Sequence, residues 1–328
     1  MPDRKRILVT GGLGYVGTAL VPLLAQQYDV RVYDTMMFGN SIEDTPNVEF
    51  IKGSITDFEY VRLACRDVWA IIHLAAIVTD DLVDMNPVLG RKINIQGTSN
   101  IVSAAFRMGV QRFIYVSSSS VYGTTERPAT ERTEPNPLTF YALTKLEAED
   151  PVIRLADSST SMTGTVVRMA TLCGPAPRMR LDTIVNIFSA QAYFEKHINV
   201  WGGDQYRCNL YIGDAVRFYR RLLDCDPKTI DGQVFNIGGA NMTARDIAEI
   251  VQRKTKAALT VDASKADNRH YMMDSTKAEK VVKWSAATPL HVAIDRNIEF
   301  FKKGGVSDYN DPIYRNTERM KSIMLNGF

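Results

Sequence analysis

Ile7-Leu8-Val9-Thr10 runs without a break into Gly11-Gly12-Leu13-Gly14-Tyr15-Val16-Gly17. This junction constrains the chain more than any other feature. An apolar run stops at glycines, and helical spacing follows over Tyr15–Gln27, which reads as strand, tight turn and helix. The glycines let backbone approach a pyrophosphate at the helix N-terminus, where N–H groups have no partner of their own. A second apolar run ends at Asp34, 20 residues beyond Gly14. A carboxylate there accepts hydrogen bonds from both adenosine ribose hydroxyls and repels a 2′-phosphate, which favours NAD over NADP. The residues that follow, Thr35, Met36, Met37 and Phe38, bring no cation to offset such a phosphate. The glycine string alone is a weak sign. The strand before it, the helix after it and Asp34 make it a dinucleotide motif.

The apolar runs Arg6–Thr10, Val30–Tyr33, Val48–Ile51, Ala70–Leu74, Phe113–Val116 and Thr165–Met169 alternate with helical spacing over Tyr15–Gln27, Phe58–Cys65, Ile93–Met108 and Tyr141–Leu155. Strands alternating with helices give βαβ units with right-handed crossovers. The expected fold class is α/β, a doubly wound parallel sheet of the Rossmann type with a smaller C-terminal α/β portion that binds substrate. Cys173-Gly174-Pro175-Ala176-Pro177-Arg178 reads as a loop. It divides a dinucleotide-binding region, 1–172, from a mainly substrate-binding region, 173–328, with 205–250 returning to the first. In the second region helices are expected over Asp182–Phe194, Gly213–Leu223 and Thr243–Lys254, and strands near Ile198–Trp201 and Gln233–Ile237. The tail from Gly304 to Phe328 suggests no role.

With 39 Lys+Arg against 37 Asp+Glu, the net charge of +2 favours neither nucleic acid nor a membrane surface. The most apolar stretch, Trp69–Val78, contains His73 and is too short to span a bilayer. Cys65, Cys173, Cys208 and Cys225 have no C-x-x-C spacing. No metal site or disulfide framework is expected, and a reducing, cytoplasmic compartment is.

Phe113-Ile114-Tyr115-Val116 opens into Ser117-Ser118-Ser119-Ser120-Val121-Tyr122-Gly123, and Tyr141-Ala142-Leu143-Thr144-Lys145 follows. Tyr141 and Lys145 share one helix face. Taken alone, either motif is surface or loop chemistry; what carries weight is their order after the glycine loop and Asp34. That order resembles the extended short-chain dehydrogenase/reductase superfamily, and within it the nucleotide-sugar epimerase/dehydratase branch. Further support comes from Ile71-Ile72-His73-Leu74-Ala75-Ala76, Asn94-Ile95-Gln96-Gly97-Thr98, Arg168–Pro175, Phe235-Asn236-Ile237-Gly238 and Asp274–Ala278. The resemblance makes Ser118 the catalytic hydroxyl, Tyr141 the acid/base and Lys145 its partner. It places the cofactor on Gly11, Gly14, Tyr15, Val16, Gly17, Asp34, Ser54, Ile55, Leu74, Ala75, Ala76, Asn94, Tyr141, Lys145 and Ala170. Ser120, Thr171, Arg207 and Arg269 become substrate contacts, the two arginines as anchors for a nucleotide diphosphate. Arg178 and Arg180, flanking Met179 in a loop, are further candidates to reach the substrate. His73 and Arg168 read as structural. A homodimer is implied.

The chain departs from the branch at Gly53-Ser54-Ile55, where Gly-Asp-Ile is common, and at Thr171, where an asparagine is common. Pro151 should kink or end the helix begun at Tyr141. A free tyrosine titrates near ~10, so a base working near pH 7 needs about 3 units, or ~4 kcal/mol. One ammonium at ~5 Å in an effective dielectric of about 20 supplies roughly 3 kcal/mol, and an oxidised nicotinamide ring would add the rest. Water-eliminating relatives carry Asp-Glu before Val-Tyr-Gly, and decarboxylating relatives carry a glutamate there. This chain has Ser119-Ser120. The resemblance therefore implies an NAD-dependent 4-epimerase of a nucleotide-diphosphate sugar, with transient oxidation at carbon 4 and hydride return to the opposite face. A 4-ketoreductase and a non-catalytic dinucleotide sensor are the alternatives.

Overall fold

The computed structural model describes residues 4–157, 162–264 and 270–326. Its strands are β1 (Arg6–Thr10), β2 (Asp29–Asp34), β3 (Val48–Lys52), β4 (Ala70–His73), β5 (Arg112–Ser118), β6 (Thr163–Met169), β7 (Thr171–Cys173), β8 (His197–Trp201), β9 (Tyr206–Tyr211), β10 (Gln233–Ile237), β11 (Ala240–Thr243) and β12 (Ala258–Asp262). Seven of them form a parallel sheet in the order β3-β2-β1-β4-β5-β6-β10. The expected fold class is the observed one. Ile7 and Val9 pack into one layer and Leu8 into the other, so the central strands are buried on both faces. Chain order reverses beside β1, and the loops leaving β1 and β4 diverge into a crevice at the carboxyl ends of the strands.

The helices are α1 (Tyr15–Ala25), α2 (Phe58–Ala64), α3 (Asp80–Met85), α4 (Pro87–Arg91), α5 (Thr98–Arg107), α6 (Phe140–Glu147) and α7 (Asp150–Asp157). They continue with α8 (Ile184–Ala190), α9 (Ile212–Asp224), α10 (Pro227–Ile230), α11 (Ala244–Thr255), α12 (Thr276–Val282), α13 (Leu290–Lys302) and α14 (Asn316–Asn326). The helix expected from Ile93 starts as a π-turn, Lys92–Gly97, before α5. The reason is local: the buried Asn94 side chain holds the backbone of Ile77 by two hydrogen bonds, 2.8 and 3.0 Å. The helix expected over Tyr141–Leu155 is two helices. The break comes at Ala148–Glu149, where Glu149 turns into the core, and Pro151 falls in the first turn of α7, where its missing N–H costs nothing.

Of the 205–250 segment, α9 packs against α1 and β10 joins the large sheet. β9 instead joins β7 and β11 in a three-stranded sheet, and β8 pairs with β12. β7, β11 and β12 are short or polar, and their residues carry little strand signal. No helix among the described residues is long and apolar enough to cross a membrane.

Candidate active site

A cleft of about 490 Å³ opens at the carboxyl ends of the strands. Tyr15, Val16, Ser118, Ser120, Tyr141 and Ala170 line it, as do Thr171, Arg180, Gln191, Trp201, Arg207 and Tyr271. Ser118 ends β5. Its Oγ accepts from Ser120 Oγ at 2.8 Å and from the Ser120 N–H at 3.2 Å. Thr139 caps α6 by accepting from the Ala142 N–H at 3.2 Å, which fixes the start of the helix that carries Tyr141 and Lys145. Ser118 and Tyr141 therefore line one cleft, and Lys145 is buried one helical turn beyond Tyr141.

Burial pushes the Tyr141 hydroxyl up to about 12, against a hydrogen bond from Ser118 and the charge of Arg180. Burial brings Lys145 down to about 7, against the charge of Glu149. The Lys145 ammonium stands 4.4 Å from the centroid of the Tyr115 ring. The charge of Arg180, which the sequence did not pair with Tyr141, favours the Tyr141 phenolate. The polypeptide by itself keeps Tyr141 protonated.

Glu149, 2% exposed, is a functional neighbour that sequence reasoning missed. It accepts from Ser117 Oγ at 2.5 Å and from Arg168 at 2.7 and 3.0 Å. Arg168 also donates to the Tyr122 hydroxyl at 3.0 Å, and Tyr122 donates to Asn236 at 2.7 Å. Burial disfavours the Arg168 charge, yet its hydrogen bonds to Glu149 hold its pKa above the ordinary arginine value. One carboxylate thereby ties the Ser118 strand to the helix of Tyr141. The signal was available, since Tyr141, Lys145 and Glu149 lie at i, i+4, i+8. His73 is structural as expected. Thr10 and Thr98 hydroxyls hold its two ring nitrogens at 2.6 and 3.0 Å, and burial takes it down to about 3, so it stays neutral.

The other end of the crevice fits a dinucleotide. Gly11 has φ +68°, and a Cβ there would lie 2.6 Å from the backbone N of Ala75. A Cβ on Gly17 would lie 2.4 Å from Gly12 Cα. Only glycines allow this approach of strand, turn and helix. Gly14 caps α1 without a side-chain hydrogen bond, and the first turn of α1 holds no acidic residue, which leaves N–H donors for an anion. Asp34 accepts from the N–H of Leu13 at 3.0 Å and of Met36 at 2.8 Å. Burial raises its pKa against those bonds and the charge of Arg178. The sequence expectation of no cation near Asp34 is corrected here: Arg178 arrives from the loop between β7 and α8.

Several named cofactor residues shape the wall through their contacts. Ser54 and Ile55 follow β3, and Ile55 is buried against Gly97. Leu74, Ala75 and Ala76 follow β4. Asn94 spends its amide on Ile77 and on Thr144, the latter at 3.0 Å. Tyr15 donates to the carbonyl of Gly174 at 2.6 Å, and Thr171 Oγ1 lies 3.3 Å from the Tyr271 hydroxyl. Arg207, 6% exposed, stands 5.3 Å from the Tyr271 ring centroid. Arg269 lies outside the described residues.

A family model, the NAD dependent epimerase/dehydratase family, matches residues 7–238. The chain belongs to that family. NAD is its cofactor, and the glycine turn, the uncapped α1 and Asp34 are the parts that would hold it. The chain is 26% identical over 306 residues to the putative UDP-glucose 4-epimerase of Methanocaldococcus jannaschii, across 90% of this chain and 98% of that one. It is 30% identical over 319 residues to UDP-glucuronic acid decarboxylase 1 of Arabidopsis thaliana, across 91% of this chain and 70% of that one. The solved UDP-glucose 4-epimerase of Thermotoga maritima with UDP-glucose superposes with a TM-score of 0.82 at 26% identity, across 91% of this chain and 99% of that one.

Proposed function

We propose that this epimerase/dehydratase-family enzyme is an NAD-dependent 4-epimerase of a nucleotide-diphosphate sugar. The observation that carries the reading is the cleft wall Ser118–Ser120–Tyr141, where hydroxyls stand and Ser119-Ser120 replace the carboxylates that elimination and decarboxylation use. Bound NAD supplies a two-electron acceptor and, in its oxidised form, a positive ring. Tyr141 takes the proton of the sugar 4-hydroxyl and later returns one. Ser118 holds that hydroxyl in line, and Ser120 fixes Ser118. Lys145 and Arg180 supply the positive field that a phenolate needs. The sugar must turn between the two halves of the cycle, so its grip has to lie elsewhere. Arg207, a buried residue of the cleft lining, suits a diphosphate because a guanidinium can bind it bidentately.

Two measurements test the reading. A panel of nucleotide sugars followed by NMR should give one pair of isomers that interconvert at carbon 4; turnover only with loss of water or carbon dioxide would reject the assignment. Arg207→Ala should weaken the nucleoside diphosphate by roughly 1.5–3 kcal/mol and leave NAD affinity unchanged. An unaltered diphosphate titration would take Arg207 out of the anchor.

A further inference from the structure

Arg178 is a cation with unfinished bonding beside the adenine half of the cofactor site. It is 5% exposed. Its backbone N–H donates to Thr18 Oγ1 of α1 at 3.2 Å, and its guanidinium lies 3.8 Å from the centroid of Phe38, in the loop after Asp34. Nη2 donates to Asn316 Oδ1 at 2.6 Å and to the Ile313 carbonyl at 3.3 Å. Nε is buried with no hydrogen-bond partner among the described residues. The neighbouring carboxylates are already engaged. Asp34 accepts from Leu13 and Met36, while Asp182 pairs with Arg180 at 2.5 Å and accepts from the Asn316 N–H at 2.9 Å. Burial and the charge of Arg180 bring Arg178 down to about 9. A desolvated guanidinium with a free N–H favours an anionic acceptor. The unfilled N–H groups at the start of α1, beside it, favour the same.

The grip on Arg178 comes from the tail, whose residues suggest no role when read as sequence. Besides the Asn316 contacts, Leu181 N–H donates to the Tyr314 carbonyl at 2.8 Å, and Arg319 Nε donates to the Met37 carbonyl at 2.9 Å. Met320 is buried with Ile77, Leu82 and Val83. The tail thus bridges the loop after Asp34, the loop that carries Arg178 and the loop after β4.

We propose that Arg178 binds the diphosphate of the cofactor and that the C-terminal segment, through Asn316, latches it there. This rests on the cofactor and not on the reaction proposed above. A latched dinucleotide stays in place between turnovers, which suits any cycle that returns the cofactor to its starting oxidation state.

The test uses full-length enzyme loaded with NADH and chased with excess NAD while nicotinamide fluorescence is followed. Arg178→Met, which keeps a stem to lie on Phe38, and Asn316→Ala, which keeps Arg178, should each speed NADH release by about tenfold or more. As competitors of NADH binding to Arg178→Met, ADP should lose about tenfold, and adenosine, which has no phosphate, less than about twofold. NADH release from Asn316→Ala within about twofold of wild type would overturn the latch. Equal losses for ADP and adenosine would show a deformed pocket and overturn the diphosphate contact. Should Arg178→Met fail to fold, Asn316→Ala decides alone.

Discussion

Tyr141→Phe is expected to fold, to retain NAD and to lose a factor of about 10²–10⁴ in turnover, the range for removing a positioned acid/base. The substitution keeps the ring and deletes one oxygen. Ser118 keeps its bonds to Ser120, so little stability is at stake. What disappears is a titratable hydroxyl that meets both Ser118 and the field of Arg180. NMR turnover on the native substrate, with bound nicotinamide measured on the same sample, checks this. Activity above about a third of wild type would remove Tyr141 from the role, because an acid/base that matters is worth far more.

Glu149→Gln is expected to cost about 3–5 kcal/mol of stability in urea unfolding, the range for stripping one partner from a buried ion pair. Gln can still accept from Ser117, so the loss is of charge. Arg168, with its side chain 7% exposed, would stay buried without its carboxylate. Arg154→Ala is the contrast. Its pairing with Asp150 is 73% and 59% exposed and should be worth less than about 1 kcal/mol. Similar losses in the two variants would mean that Glu149 is not the fixed point joining β5 to α6.

The parallel sheet and the glycine turn were legible because both rest on local rules: apolar runs of strand length, and glycines where a Cβ has no room. The meeting of Ser118 and Tyr141 in one cleft was legible through the order of their motifs. Charge partners were not. Arg180 acts on Tyr141 from a loop that follows β7, and Arg178 reaches Asp34 across more than a hundred residues of chain, so neither contact has a local signature. Glu149 left a helical-spacing signal, but the same spacing also describes a solvated helix face. The helix break at Ala148–Glu149 depends on that burial, and Pro151 marked only its neighbourhood. The tail carries ordinary polar residues whose meaning comes from the loops they bridge.

In the proposed epimerase cycle the chemistry begins and ends on the same oxidation state of the cofactor. The direct test follows nicotinamide absorbance over many turnovers while NMR follows the sugar in the same tube, with no oxidant or reductant added. The 4-isomer should accumulate to equilibrium with no net change in the nicotinamide signal. Product that forms only with stoichiometric consumption of reduced cofactor would contradict it and make the enzyme a ketoreductase.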